Sequence, residues 1–183
     1  MHETWLLPNR RALGMALVPT VALGAIGVAT TWLAEGNAMW WAGLVLAIAG
    51  GGLTLGLVGQ WLRPRVSCDG RNVLFHVRAG APVSIPLVSV EAFFLGQGPA
   101  HLPSSWGAQQ KTVNLVARLS QKSHDLASGR VKEALAQWEE HYLTLRGTWC
   151  EPLTQDVVRT INHRLRAAQT AAKGGAETAP AAS

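Results

Sequence analysis

Two long stretches of this chain contain no charged residue, and they constrain its fold more than any other feature. The first runs from Ala12 to Leu33 and the second from Met39 to Leu62. The hydrocarbon core of a bilayer is about 30 Å thick, and a helix needs roughly 20 residues to cross it. Backbone amides in lipid must be satisfied within their own segment, so each stretch is predicted to be a helix. We therefore expect two transmembrane helices, at about 12–33 and 39–62, rather than core helices of a soluble protein or a cleaved signal peptide.

The rest of the composition agrees with a membrane protein. Only 15% of the residues are charged, against about 25% in an average soluble domain. Indole rings favour the headgroup region of a bilayer. Five of the eight tryptophans lie near the ends of the two apolar stretches: Trp5, Trp32, Trp40, Trp41 and Trp61.

Arginines flank the apolar stretches unequally. Arg10 and Arg11 precede the first stretch and further arginines follow the second, whereas the connection 34–38 contains Glu35 and no basic residue. Positively charged flanks stay on the cytoplasmic side of a membrane. We expect a multi-pass hairpin in the plasma (inner) membrane, with both termini in the cytoplasm.

Small residues in the second stretch indicate helix packing. Gly52 and Gly56 form a small-xxx-small pair, which lets two helices approach closely. The pair joins either the two helices of one chain or the helices of two copies. Neither stretch contains the ionisable residue that ion pathways and transport sites in membranes usually need.

The remainder, 63–168, is long enough for one cytosolic α+β domain. Residues 63–183 hold fourteen basic and nine acidic side chains, so the whole net charge of +5 lies there. Alternating apolar residues favour strands. Strands are predicted at 66–68, 72–78, 82–85, 87–95, 113–119 and 141–146, with loops at 96–110 and 120–129. A short helical face is predicted at 130–140, a final helix from about 152–154 onward, and a disordered tail at 169–183.

A meander of about six strands closed by one C-terminal helix resembles the bacterial pleckstrin-homology-like domains, which often follow two transmembrane helices. The resemblance covers 12–166 and rests on element order and on Trp-Leu-Arg-Pro-Arg at 61–65. The segments FFLGQGP at 93–99 and TWCEPL at 148–153 are similar to those of other bacterial membrane proteins. The resemblance implies an antiparallel meander or partly open barrel capped by a helix, and it implies no activity. The final helix lacks the tryptophan usual in eukaryotic relatives, and only Arg71 and Arg78 could stand in for their basic loop.

Phe93 and Phe94 are the candidate partner-contact residues. Adjacent residues on a strand face opposite sides, so both rings cannot enter one core. The outer ring then contacts a protein partner, or it packs on a covered second face, a loop or the membrane.

The candidate lipid-contact residues are Arg63, Arg65, Arg71 and Arg78. Basic residues near an anionic membrane surface are attracted by about 1 kcal/mol each. The alternative is that these charges only set the topology. Nucleic-acid binding is not expected, because the positive charge is spread out and lacks interleaved aromatic residues.

We expect no catalytic, metal or cofactor site. Cys150 near the final helix could form a nucleophile pair with His141 or His163, but a packed turn explains the segment better, since nothing nearby supplies an oxyanion hole. The histidines have no ligand spacing. The sequence thus predicts a membrane-anchored, non-enzymatic docking or assembly module, with recognition of anionic lipid headgroups as the alternative. Its expected partners are the bilayer and a protein partner or a second copy bound through the helices.

Overall fold

The computed structural model describes residues 3–78, 80–99, 111–120 and 131–177. These residues form three α-helices and eight β-strands. The chain divides into two compact units, Asn9–Arg63 and a second made of Met1–Pro8 with Pro64–Ser183. The expected combination of a helical hairpin and an α+β domain is confirmed at this level.

The first unit is a pair of long helices, α1 (Arg10–Leu33) and α2 (Asn37–Leu62). The Asn9 side chain caps α1 by accepting a hydrogen bond from the Ala12 N–H at 3.2 Å. Both helices are long and apolar enough to cross a membrane. Only about 11% of the most apolar window of each helix is buried. Most of the apolar side chains in α1 and α2 therefore lie on the outside of the pair.

Glycines set the distance between α1 and α2. A Cβ on Gly27 would overlap the backbone of Ala47, and a Cβ on Gly50 would overlap the backbone of Gly24. A Cβ on Gly43 would lie 2.7 Å from the Thr31 nitrogen. The two backbones approach so closely that only hydrogen fits at these positions.

Gly52 and Gly56 do not take part in this contact. A Cβ at either position would meet nothing within 4 Å. Of the two alternatives for this pair, packing within one chain is therefore wrong, because α1 passes the other side of α2. Packing between two copies stays a prediction.

The second unit contains two antiparallel sheets of four strands. The first sheet has the order β1 (Glu3–Leu6), β2 (Val66–Cys68), β3 (Asn72–Phe75), β4 (Val83–Pro86). The second has the order β5 (Val90–Pro99), β6 (Lys111–Leu119), β8 (Tyr142–Leu145), β7 (Ala136–Glu139). Helix α3 (Gln155–Glu177) follows the strands.

The turn between β2 and β3 forms as the Asp-Gly pair predicts. Gly70 has a φ of +92°, a conformation that L side chains rarely adopt. The Asp69 carboxylate accepts hydrogen bonds from the N–H groups of Arg71 at 2.9 Å and Asn72 at 2.6 Å. The side chain and the glycine together fix the register of the hairpin.

One apolar core joins both sheets and α3. Its largest fully buried side chains include Phe75, Phe93, Ile85, Leu115 and Leu143. From α3, Ile161 and Leu165 are each 1% exposed. The helical spacing of these two residues gives α3 the apolar face predicted for the final helix.

Some predicted boundaries are wrong. The segment 136–139, predicted as part of a short helix, is strand β7, because Ala136 pairs with Leu145 in a hairpin with β8. The spacing of its apolar residues alone also fits a helix, and the pairing with β8 decides for the strand. Strand β5 begins at Val90 after a 3-10 turn and continues to Pro99, where a loop was expected, because Gly96 and Gly98 pair with β6. Helix α3 continues beyond 168 to Glu177 in the predicted tail. The predicted loops at 100–110 and 121–129 and the tail residues 178–183 lie outside the described residues.

Candidate functional site

Arg65 is buried inside the second unit and does not face lipid. The residue is only 3% exposed. The guanidinium donates to the carbonyl of Trp149 at 3.1 Å and to that of His76 at 3.5 Å. Its backbone N–H donates to the Leu6 carbonyl at 2.8 Å. Arg65 therefore connects three segments of the domain, and the prediction that it contacts lipid is wrong.

The environment of Arg65 has an electrostatic cost. Burial lowers the pKa of Arg65, while its interaction with Cys150 raises that pKa. A buried guanidinium is stabilised only when hydrogen bonds replace its water. The two carbonyls above supply such bonds, so the residue has a structural explanation.

The other three arginines of the candidate lipid-contact set belong to different elements of the structure. Arg63 is exposed at the end of α2, in the first unit. Arg71 is exposed before β3, whereas Arg78 follows β3 and donates to the carbonyls of Ala81 at 2.6 Å and Pro82 at 3.3 Å. Within the second unit, Arg71 and Arg78 thus lie at opposite ends of a strand and form no cluster.

Phe93 and Phe94 face opposite sides of β5, as the sequence predicts. Phe93 is 1% exposed and its ring packs 6.5 Å from that of Trp5 and 6.3 Å from that of Phe75. Phe94 is 46% exposed. The Phe93 ring belongs to the core, so the prediction that Phe93 contacts a partner is wrong, whereas the Phe94 ring is available at the surface of the domain.

A groove of about 450 Å³ lies beside Phe94, between β5 and α3. Its strand side includes Glu91, Phe94 and Leu95. Its helix side includes Arg159 and Arg166, together with Gln155, Val158, Asn162 and Leu165. The groove combines an exposed aromatic ring with polar and basic side chains, the usual composition of a recognition site.

Asn162 anchors the helix to the strand at this groove. Its Oδ1 accepts a hydrogen bond from the Phe93 N–H at 2.8 Å, and its Nδ2 donates to the Phe93 carbonyl at 2.9 Å. About two helical turns further along α3, Gln169 Nε2 donates hydrogen bonds to the carbonyls of Val90 at 2.8 Å and Leu87 at 3.0 Å. The two side-chain amides thus bind backbone groups of β5 that a neighbouring strand would otherwise bind.

Sequence reasoning missed Asn162 and Gln169. The available signal is their separation of seven residues, which places both on one side of α3 beside the apolar residue Leu165. Polar residues at that spacing next to an apolar face indicate hydrogen bonding to whatever the face covers. Their partners on β5 could not be identified without the fold.

The segment before α1 was also missed as part of the domain. Strand β1 pairs with β2, with Thr4 opposite Ser67. Leu7 donates to Oε1 of Glu151 at 2.9 Å and accepts from the Glu151 N–H at 3.0 Å. Arg164 of α3 donates to the Thr4 carbonyl at 2.8 Å and lies 3.4 Å from the Glu3 carboxylate. The local sequence carries no strand signal, since Glu-Thr-Trp-Leu has two exposed polar residues followed by two buried apolar ones and does not alternate.

Cys150 lies in a packed turn, as the preferred interpretation of its segment predicts. It is 2% exposed, and its Sγ lies 3.5 Å from the Arg146 carbonyl. Burial raises the pKa of Cys150 to about 12, opposed by Arg65. A thiol in this environment stays protonated at neutral pH and is a poor nucleophile.

A metal site requires a group of His, Cys, Asp or Glu side chains. Within the described ranges, no three of them come together in this way. Cys68 and Cys150 are both free and buried. Comparisons with protein-family models, with curated proteins and with solved structures gave no match to this chain.

Proposed function

We propose that this protein is a membrane-anchored, non-enzymatic docking module. Two transmembrane helices hold a pleckstrin-homology-like domain at the cytoplasmic face of the plasma membrane. The observation that carries this proposal is the pairing of β1, which precedes α1, with β2, which follows α2. The first sheet of the domain is therefore built from the segment before α1 together with the segment after α2.

This pairing supports a two-crossing topology. A single crossing would put β1 and β2 on opposite faces of the bilayer, where they could not share a sheet. The exposed apolar side chains of α1 and α2 favour a lipid environment, because a helix in a soluble core would be mostly buried. The excess of arginine outside the connection favours the cytoplasm for the domain.

The architecture of the second unit supports the pleckstrin-homology-like proposal. Two four-stranded antiparallel sheets share a core with one C-terminal helix. Docking is assigned to the groove beside Phe94, because it combines an exposed ring with a strand edge and two arginines. The burial of Cys150 argues against the alternative of a Cys-His nucleophile pair.

Cysteine labelling of intact cells tests the topology. Cys68 and Cys150 are buried, so the unaltered chain is the low-background control. Glu35→Cys in the connection should react with a membrane-impermeant maleimide added outside the cell. Arg71→Cys, equally exposed in the domain, should react only after the cells are permeabilised. The reverse pattern, or recovery of the chain in the soluble fraction after lysis, would overturn the proposal.

Lipid recognition is separated from docking by charge reversal. Arg71 is exposed at the turn between β2 and β3, and it remains the best-placed arginine of the domain for a headgroup. If lipid recognition is the function, Arg71→Glu with Arg78→Glu should abolish the preference of the detergent-purified chain for nanodiscs rich in phosphatidylglycerol. If docking is the function, those changes should leave binding at the Phe94 groove unchanged.

A further inference from the structure

The free edge of β5 borders the groove beside Phe94, whose strand side ends at Leu95. In the second sheet β5 is the terminal strand of the order, and no described strand lies on its other side. A terminal strand presents unpaired N–H and C=O groups, which can pair with an added strand. What could be added depends on which of these groups are already occupied.

The edge is occupied at one end and open at the other. Phe93 turns its N–H and C=O toward Asn162 of α3. Alternate residues of a strand point their backbone groups to the same side, so Leu95 and Gln97 turn theirs to this edge as well. Pro99 follows in the same alternation and has no N–H to offer. Among the described residues, the open part of the edge is therefore short and centred on Leu95 and Gln97.

Helix α3 runs antiparallel to β5 along this edge. Asn162 contacts Phe93, and Gln169, further along the helix, contacts Val90, an earlier residue of the strand. An earlier part of α3 must then face a later part of β5, which places Arg159 beside Leu95. Both residues line the groove. The open edge is thus next to a basic side chain.

The charge of the groove is positive. Its one acidic side chain, Glu91, is paired with Arg118 at 2.9 Å. Arg159 lies 3.4 Å from Asp156, but both side chains are highly exposed, and the attraction within such exposed ion pairs is weak. Arg166 also lines the groove. The groove lining therefore carries two guanidinium groups against one carboxylate, which has Arg118 as a partner, so its balance of charge favours an incoming carboxylate.

We propose that the Leu95–Gln97 edge of β5 binds an extended, acidic segment of a partner protein as an added strand, with a carboxylate of that segment on Arg159 or Arg166. The backbone of the segment pairs with the edge and provides affinity. Its acidic side chain provides selectivity, because guanidinium groups bind carboxylates with paired hydrogen bonds. This inference rests on the proposed docking function and names the chemistry of the partner.

Peptide selection on the whole chain tests the inference. The full-length protein in nanodiscs is panned against random octapeptides displayed on phage. The enriched peptides should be acidic and should bind the purified protein in a fluorescence-polarisation titration. Arg159→Glu with Arg166→Glu should weaken that binding by about tenfold or more. Lys173→Glu is the control for each single reversal, Arg159→Glu or Arg166→Glu, since it makes the same charge change on an exposed residue of α3 outside the groove, and it should not alter binding.

Two further measurements separate strand addition from simple charge attraction. Methylation of alternate backbone nitrogens in the selected peptide should abolish binding, and the peptide should slow hydrogen exchange at Leu95 and Gln97. Replacing glutamate by lysine in the peptide should restore binding to the Arg159→Glu protein. Enrichment of peptides without acidic residues, binding that survives nitrogen methylation, or no enrichment at all would overturn the inference. The cysteine-labelling experiment has its own readout, so a correct topology with no peptide binding would reject only this inference.

Discussion

The Asn162 side chain makes the two hydrogen bonds to Phe93 that a neighbouring strand would make. Its Oδ1 accepts a hydrogen bond from the Phe93 N–H at 2.8 Å, and its Nδ2 donates one to the Phe93 carbonyl at 2.9 Å. A single side-chain amide thus satisfies both backbone groups of a residue on an edge strand. The same contact fixes where α3 lies along β5. It therefore positions Arg159 and Arg166 and sets the end of the open edge.

Replacing Asn162 by leucine should destabilise the domain. The change keeps the approximate volume but removes both hydrogen bonds, and backbone groups left without partners cost about 1–3 kcal/mol. Urea unfolding of the detergent-purified chain, followed by tryptophan fluorescence, measures the loss. Thr160→Ala is the control on the exposed side of the same helix, with an expected change below about 0.5 kcal/mol. Equal effects of the two substitutions would show that the amide pairing contributes nothing specific.

Arg65 and Arg63 should respond differently to the same substitution. Arg65→Met removes the donor to the part-buried Trp149 carbonyl and should lower the unfolding free energy by about 1.5–3 kcal/mol. Arg63→Met, on an exposed residue, should change it by less than about 0.5 kcal/mol. The same denaturation experiment measures both. A neutral Arg65→Met variant would contradict the assignment of Arg65 as a structural residue.

The glycines of the helical pair divide into two classes. Gly27→Leu and Gly50→Leu should force α1 and α2 apart, because their new side chains would overlap the backbone of the other helix. The expected result is a clear loss of thermal stability of the chain in detergent. Gly52→Leu and Gly56→Leu are the matched controls, since both positions face open space. If these two glycines join copies, their substitution should lower the crosslinked dimer fraction without lowering the stability of the monomer.

Trp5 should contribute to the stability of the domain although it precedes both long helices. It is 4% exposed and packs against Phe93. Trp5→Ala should therefore cost about 3–5 kcal/mol. Trp32→Ala, on a side chain 85% exposed in the first unit, should leave the unfolding of the domain unchanged. Circular dichroism during denaturation compares the two without depending on the removed fluorophore.

Cys150 should make the domain less stable at high pH. Its pKa is raised to about 12 by burial, whereas in the unfolded chain it returns to its ordinary value near 9. Below pH 9 both states keep the proton, and the contribution of the thiol is fully present. Between about pH 9 and pH 12 only the unfolded state releases the proton, so stability falls by up to about 1.4 kcal/mol per pH unit.

The measurement for Cys150 is the slope of unfolding free energy against pH. Cys150→Ala should reduce that slope above pH 9. Part of the slope should remain, because burial also raises the pKa of Cys68. A slope identical in the two proteins would contradict the assignment, whatever the absolute stability of the variant.

Sequence determined the parts of the molecule that depend on local pattern. The two apolar stretches become α1 and α2 because uninterrupted apolar residues of that length have few other stable forms. The Asp69-Gly70 turn and the opposite orientations of Phe93 and Phe94 follow from backbone geometry over a few residues. The apolar face of α3 follows from helical spacing.

Only the tertiary structure decided the features that depend on distant residues. Strand β1 exists because β2, about sixty residues later, supplies its hydrogen bonds. Ala136 is in a strand because β8 pairs with it, and Arg65 can be buried because the carbonyls of Trp149 and His76 accept hydrogen bonds from its guanidinium. Long-range pairing of this kind leaves no mark in local periodicity. A charged or apolar residue therefore gives the same local pattern in the sequence whether it lies in the core, on the surface or beside the groove.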